Sequence, residues 1–144
     1  MTSRMRSIST ERTLADFLGR WEIAREITPA DGPPAFFAGH AEWRAMSGGA
    51  AYVETGVLRL QGAPSMTAER RYVWKEDLSV WFEDGRAFHT VPPGGGQATH
   101  FCDPDTYLVA YDFAQWPAFT VRYDVGGPRK DYVMISRYTK SRAS

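Results

Sequence analysis

The sequence holds 144 residues, enough for one domain with a substantial core. Its 17 Lys+Arg balance 17 Asp+Glu for a formal net charge of zero, which argues against a nucleic-acid or anionic-membrane partner, because both demand a basic face. The single cysteine, Cys102, excludes an intrachain disulfide, and no apolar run approaches the roughly 20 residues of a membrane span.

The opening MTSRMRSISTER has no apolar segment of the secretory kind, so a soluble, cytoplasmic protein with a disordered start over 1–9 is expected. Thr10 or Thr13 then caps a short helix whose apolar stripe is Leu14, Phe17 and Leu18, ended by Gly19. From Trp21 onward, period-2 segments alternate with turn signals. Strands are predicted over 21–27, 35–46, the low 50s to 60, 66–75, 78–83, 86–91, 98–102, 106–113, 118–125 and 129–139. Asp84-Gly85 is a hairpin dipeptide, and Pro92 to Gly96 is the one low-complexity patch. About ten strands with short turns and no crossover helices predict an antiparallel meander. Ten strands would strain an open sheet, so a sandwich or closed barrel is indicated. The domain is expected over 10–140, with 141–144 as a tail.

FLGRWEI, a short helix running into Gly19-x-Trp21 at the first strand, resembles the start of lipocalin-type (calycin superfamily) barrels. The pieces ERRYVW, FEDGRAFH, HFCDPDTY and GPRKDYVMISRY extend the resemblance to a bacterial family of uncharacterised lipocalin-like proteins, over nearly the whole chain. It implies an all-β, closed antiparallel barrel of eight to ten strands with the N-terminal helix at its floor. It further implies that Trp21 plugs that floor and that an arginine late in the last strand, here Arg137, lies across it. A guanidinium can stack on an indole while its donors satisfy free helix carbonyls. The family has no established activity, so the resemblance implies fold and not chemistry.

Alternation predicts which side chains face inward. With Trp21 inward, Ile23, Arg25 and Ile27 follow, as do Phe37, Ala41 and Trp43 on the second strand. Leu58 and Leu60 carry Tyr52 and Glu54 inward, and Ala68, Arg70, Tyr72 and Trp74 form the fourth strand's inner face. Tyr107, Val109, Tyr111 and Phe113 share a face, as do Phe119, Val121, Tyr123 and Val125. In the last strand, Arg137 inward brings Ile135, Val133, Asp131 and Arg129 with it and leaves Lys130 outward.

A filled apolar core has no use for Arg25, Glu54, Arg70, Asp131 and several tyrosines. Buried charges must pair with one another or meet water or a ligand. One reading is a fixed network in which Arg25 and Arg70 pair with Glu54 and Asp131. The other, which we prefer, is a barrel cavity for a small hydrophobic or aromatic molecule, carboxylate-bearing ones included. The candidate ligand-binding residues are Arg25, Glu54, Arg70, Tyr72, His89, His100, Tyr107, Tyr111, Tyr123 and Asp131, with Trp21 and Arg137 structural. Three further chemistries are open. His89, His100 and Cys102 would be a zinc or copper set, although their spacing matches no metal motif. A haem, which some barrels resembling this superfamily hold through one histidine, would take His89 or His100, with Phe88 and Phe101 beside it. Arg70 with Glu54, Tyr107 and Tyr111 would suit acid–base chemistry on a small aromatic acid. A binding protein without a cofactor is expected over an enzyme. The sequence leaves the oligomeric state open.

Overall fold

A computed structural model describes residues 10–141 as one antiparallel sheet curled into a nearly closed barrel. Helix α1 (Leu14–Phe17) precedes β1 (Gly19–Pro29), β2 (Ala35–Met46), β3 (Gly49–Leu60) and β4 (Met66–Lys75). Then come β5 (Ser79–Phe82), β6 (Ala87–Thr90), β7 (Gly96–Cys102), β8 (Asp105–Asp112), β9 (Phe119–Gly126) and β10 (Tyr132–Lys140). Spatial order is β6-β5-β4-β3-β2-β1-β10-β9-β8-β7. The first strand therefore pairs with the last, and the two edges, β6 and β7, come face to face. Backbone ladders join every neighbouring pair in that order, whereas β6 meets β7 through side chains. The Phe88 and His100 rings stand 5.1 Å apart, and His100 makes a hydrogen bond to the Phe88 backbone. Among the described residues no helix is long and apolar enough to cross a membrane. The expected disordered start over 1–9 and the residues 142–144 of the expected tail lie outside the described residues.

The helix is a single turn. Asp16 accepts the Thr13 backbone N–H at 2.8 Å, and Leu18 already has an extended ψ of 139°. Its apolar stripe is the barrel floor. Phe17 and Trp21 are fully buried, and the Trp21 indole N–H donates to the Phe17 carbonyl at 2.8 Å, satisfying an orphan group at the helix end. Around them Trp43, Trp74, Trp116 and Phe119 pack ring against ring with centroids 5.1–5.8 Å apart. Aromatic pairs in such tilted and edge-on arrangements add stability beyond their buried area.

Alternation places the walls as expected for β1, β2, β4, β8 and β9. Trp21, Ile23 and Arg25 are buried while Glu22, Ala24 and Glu26 are exposed. In β3, Tyr52 and Glu54 are buried as expected, but Leu60, at the strand's end, is exposed. Gly39 and Gly56 face each other across β2 and β3. A Cβ at Gly39 would lie 2.0 Å from the Thr55 carbonyl oxygen, so only glycine permits the close approach there.

The last strand corrects the expected register. β10 begins at Tyr132, and its buried residues are Met134, Ser136 and Tyr138. Arg137 is exposed, pairing across the sheet with outward-facing Ala24 and with Thr120. The clasp over Trp21 is Lys140. Its Nζ sits 4.4 Å from the Trp21 ring centroid and donates to the Leu18 carbonyl at 2.9 Å. The function implied for Arg137 is thus carried three positions later, on the opposite parity. Asp131 precedes the strand and is exposed. It shares parity with outward Arg137, and its carbonyl accepts the Ala30 N–H at 3.0 Å; just before it, the buried Asp105 carboxylate accepts the backbone N–H groups of Arg129 (3.1 Å) and Lys130 (3.2 Å), which holds those two residues in a turn. A Cβ on Gly127 would stand 2.3 Å from that carboxylate, so the Gly127-Pro128 turn is shaped around it.

Candidate functional site

The interior divides into a locked polar network and an open pocket. In the network, Arg25 of β1 reaches across β2 to Glu54 of β3. On β2 the path starts at Phe37, the register partner of Arg25, whose ring lies 5.3 Å from the guanidinium, and continues over Gly39 to Ala41, which leave room for the crossing. The ion pair is two-pronged, Nη1 to Oε2 at 2.5 Å and Nη2 to Oε1 at 3.0 Å, while the Arg25 Nε donates to Ser136 Oγ at 2.7 Å. Tyr52 donates to Glu54 Oε1 at 2.5 Å, and the Tyr52 and Tyr138 hydroxyls lie 2.7 Å apart. Burial works against the Arg25 charge, but Glu54 beside it holds the guanidinium above its ordinary pKa. Burial first, then Tyr138, drive Tyr52 well up; burial first, then Glu54, raise Tyr138.

Beside this network lies a cavity of about 30 Å³, touched by Trp43, Glu54, Arg70, His89 and Tyr111. That is room for one or two waters. His89 Nε2 lies 2.8 Å from the Tyr111 hydroxyl, and its Nδ1 has no hydrogen-bond partner, nor has the Trp43 indole N–H. Burial first, then His100, push His89 down to about 4.

The pocket sits at the end opposite α1 and encloses about 270 Å³. Its walls are aromatic. Phe88 stacks on Phe82 (4.8 Å) and Tyr72 (5.8 Å), with the Tyr107 ring edge-on at 5.7 Å. Tyr123 and Tyr132 complete it, the latter pushed up to about 12, chiefly by burial. Three cations border it. Lys130 donates from Nζ to the Tyr107 hydroxyl at 2.7 Å. Arg86 bridges Asp84 at 2.8 Å and lies over the Phe82 ring at 4.8 Å. Arg70 makes one long hydrogen bond, 3.4 Å, to the Tyr72 hydroxyl. Arg70, Tyr72 and Tyr123 touch both spaces and so join them.

The sequence-predicted residues therefore separate. Arg25, Glu54, His89 and Tyr111 surround the small cavity, while Arg70, Tyr72, Tyr107 and Tyr123 gather at the pocket. His100 stands at the β6–β7 joint, lowered mainly by burial. Asp131 reaches neither space. His89, His100 and Cys102 do not assemble: among the described residues no group of three His, Cys, Asp or Glu side chains is placed to hold a metal ion. Sequence reading missed Phe82, Phe88, Arg86, Lys130 and Tyr132 as lining residues. FEDGRAFH carried a readable signal for three of them, since a two-strand hairpin rich in aromatics must face one side inward.

Residues 17–140 match the model of a family of unknown function (DUF6314). A search of curated proteins gave no match. Among solved structures, an S-type phycobiliprotein lyase from Guillardia theta superposes with a TM-score of 0.63 at 8% identity, with 91% of this chain and 92% of that chain covered. At that identity the likeness is one of fold.

Proposed function

The chain belongs to the DUF6314 family, and we propose that it binds a small hydrophobic or aromatic molecule at the open end of its barrel. The observation that carries this reading is the pocket of about 270 Å³ walled by Tyr72, Phe82, Phe88 and Tyr107. Concave aromatic surface with a few placed polar groups is the usual make-up of a small-molecule site. Within this reading the protein is a cytoplasmic binder with no resident cofactor. Acid–base catalysis by Arg70, Glu54, Tyr107 and Tyr111 finds less support. Glu54 is engaged by Arg25 and Tyr52, and Tyr111 faces His89 away from the pocket. A haem on His89 also finds less support, because its Nε2 is engaged by Tyr111 and the adjoining space has the size of water rather than porphyrin.

The test is isothermal titration with a neutral single-ring probe, anisole, together with native mass spectrometry of freshly purified protein for a co-purifying small molecule. One probe should bind per chain, with Phe88→Ala and Tyr107→Ala weakening it and Val57→Ser on the outer wall leaving it unchanged. Binding indifferent to both pocket variants would overturn the proposal.

A further inference from the structure

We propose that the ligand of this pocket is a single-ring aromatic monocarboxylate that enters acid first and pairs its carboxylate with Arg70. The inference rests on the binding reading above and specifies its chemistry. The residues lining the pocket include Arg70, Arg86 and Lys130 and no carboxylate. These cations differ in what they already hold. Arg86 is exposed and bridged to Asp84. Lys130 is exposed and donates to Tyr107. Arg70 is largely out of solvent, and among the described residues it makes no ion pair. Glu54, its partner in the β3–β4 register, already serves Arg25 and Tyr52 with both oxygens. A cation withdrawn from water without a counter-charge is costly, and an incoming anion relieves that cost.

The same facts set charge number, orientation and size. One shielded, unpaired guanidinium calls for one negative charge. A second acid group would meet only the hydrated rim, where exposed ion pairs gain little. Arg70 is the deep end of the pocket because it also borders the inner cavity, so the carboxylate leads and the ring trails between Phe88, Tyr72 and Tyr107. A guanidinium fork matches the two oxygens of a carboxylate. A volume of about 270 Å³ lies just below the range for drug-sized ligands, which suits one ring and not a fused or polycyclic system.

Isothermal titration of the full chain with benzoate, benzamide, terephthalate and inorganic phosphate tests each part. Benzoate should bind about 10- to 100-fold more tightly than benzamide, the worth of a charge-assisted hydrogen bond. Terephthalate should gain nothing over benzoate, and phosphate should fail to compete. Arg70→Met should erase the preference so that benzoate and benzamide bind alike, and Arg70→Lys should retain part of it. Equal binding of benzoate and benzamide to the unaltered protein, a comparison that needs no variant, would overturn the inference. So would a preference that survives Arg70→Met, or phosphate competing as well as benzoate. If anisole binds at the pocket while benzoate does not, the carboxylate inference falls and the pocket reading stands; if neither binds, both fall.

Discussion

Arg25→Met removes the cation at the centre of the buried network and leaves its partners in place. Three hydrogen bonds go at once: two to Glu54 at 2.5 and 3.0 Å and one to Ser136 at 2.7 Å. Glu54, 2% exposed, is left as a carboxylate with Tyr52 as its remaining donor. Breaking a buried pair by deleting one partner costs about 3–5 kcal/mol, mostly because the other charge remains buried. With a urea m-value of about 2 kcal/mol/M, that moves the unfolding midpoint down by about 2 M at unchanged slope. Tryptophan fluorescence reports it directly, because Trp21 and Trp43 are buried at the floor. The informative partner is the double variant Arg25→Met with Glu54→Leu. Removing both charges should restore stability to within about 1–2 kcal/mol of the starting protein, since apolar replacement of a buried pair is commonly near neutral. A loss below about 1 kcal/mol in the single variant, or a double variant as unstable as the two singles summed, would refute the account of the network as a mutually dependent pair.

Three other outcomes follow from particular residues. His89 is held neutral, with its pKa pushed from 6.5 down to about 4; the stability it confers is complete above pH 6.5 and is lost as pH falls through 4. The full loss is about 3 kcal/mol, and urea midpoints across that window should fall less steeply in His89→Gln than in the unaltered chain. Lys140→Met should cost about 1 kcal/mol through the lost cation–π contact and carbonyl hydrogen bond, while Arg137→Ala should stay within about 0.5 kcal/mol, both read as midpoint shifts. Gly39→Ala forces a Cβ against the Thr55 carbonyl and should destabilise by about 1–3 kcal/mol or more, lowering the thermal midpoint, where Ala38→Ser on the exposed face should not.

What the sequence made legible was parity wherever aromatic and β-branched residues alternated with exposed charges. Trp21-Ile23-Arg25 against Glu22-Ala24-Glu26 is such a case, and it placed Arg25 and Glu54 inside before their pairing was visible. The pairing itself depended on β2 having small inward residues between them, a property of register across three strands. The register of GPRKDYVMISRY was misplaced because it was anchored on Arg137, which the barrel resemblance put inward; Val133 and Ile135 agreed with that choice as apolar residues yet are only half-buried on the outer side. The bound that would have corrected it, the carboxylate of Asp105 holding Arg129 and Lys130, comes from a residue more than twenty positions upstream. Lys130 was lost as a pocket residue for the same reason. The lining from Phe82 and Phe88 had a signal in the aromatic content of FEDGRAFH, but β5 and β6 are four residues each, too short for alternation to say which face turns inward.

The meeting of β6 and β7 has a mechanical consequence. Parting any other two neighbours in this wall breaks a run of backbone hydrogen bonds, whereas parting these two asks mainly for rotations of Phe88 and His100. Side-chain rotations are fast and cheap beside ladder rupture. Phe82, Phe88 and Cys102, which border the pocket, lie on or next to that line. For the proposed ligand, this line is the flank where the wall widens at least cost, while ladders keep the rest of the cylinder in shape.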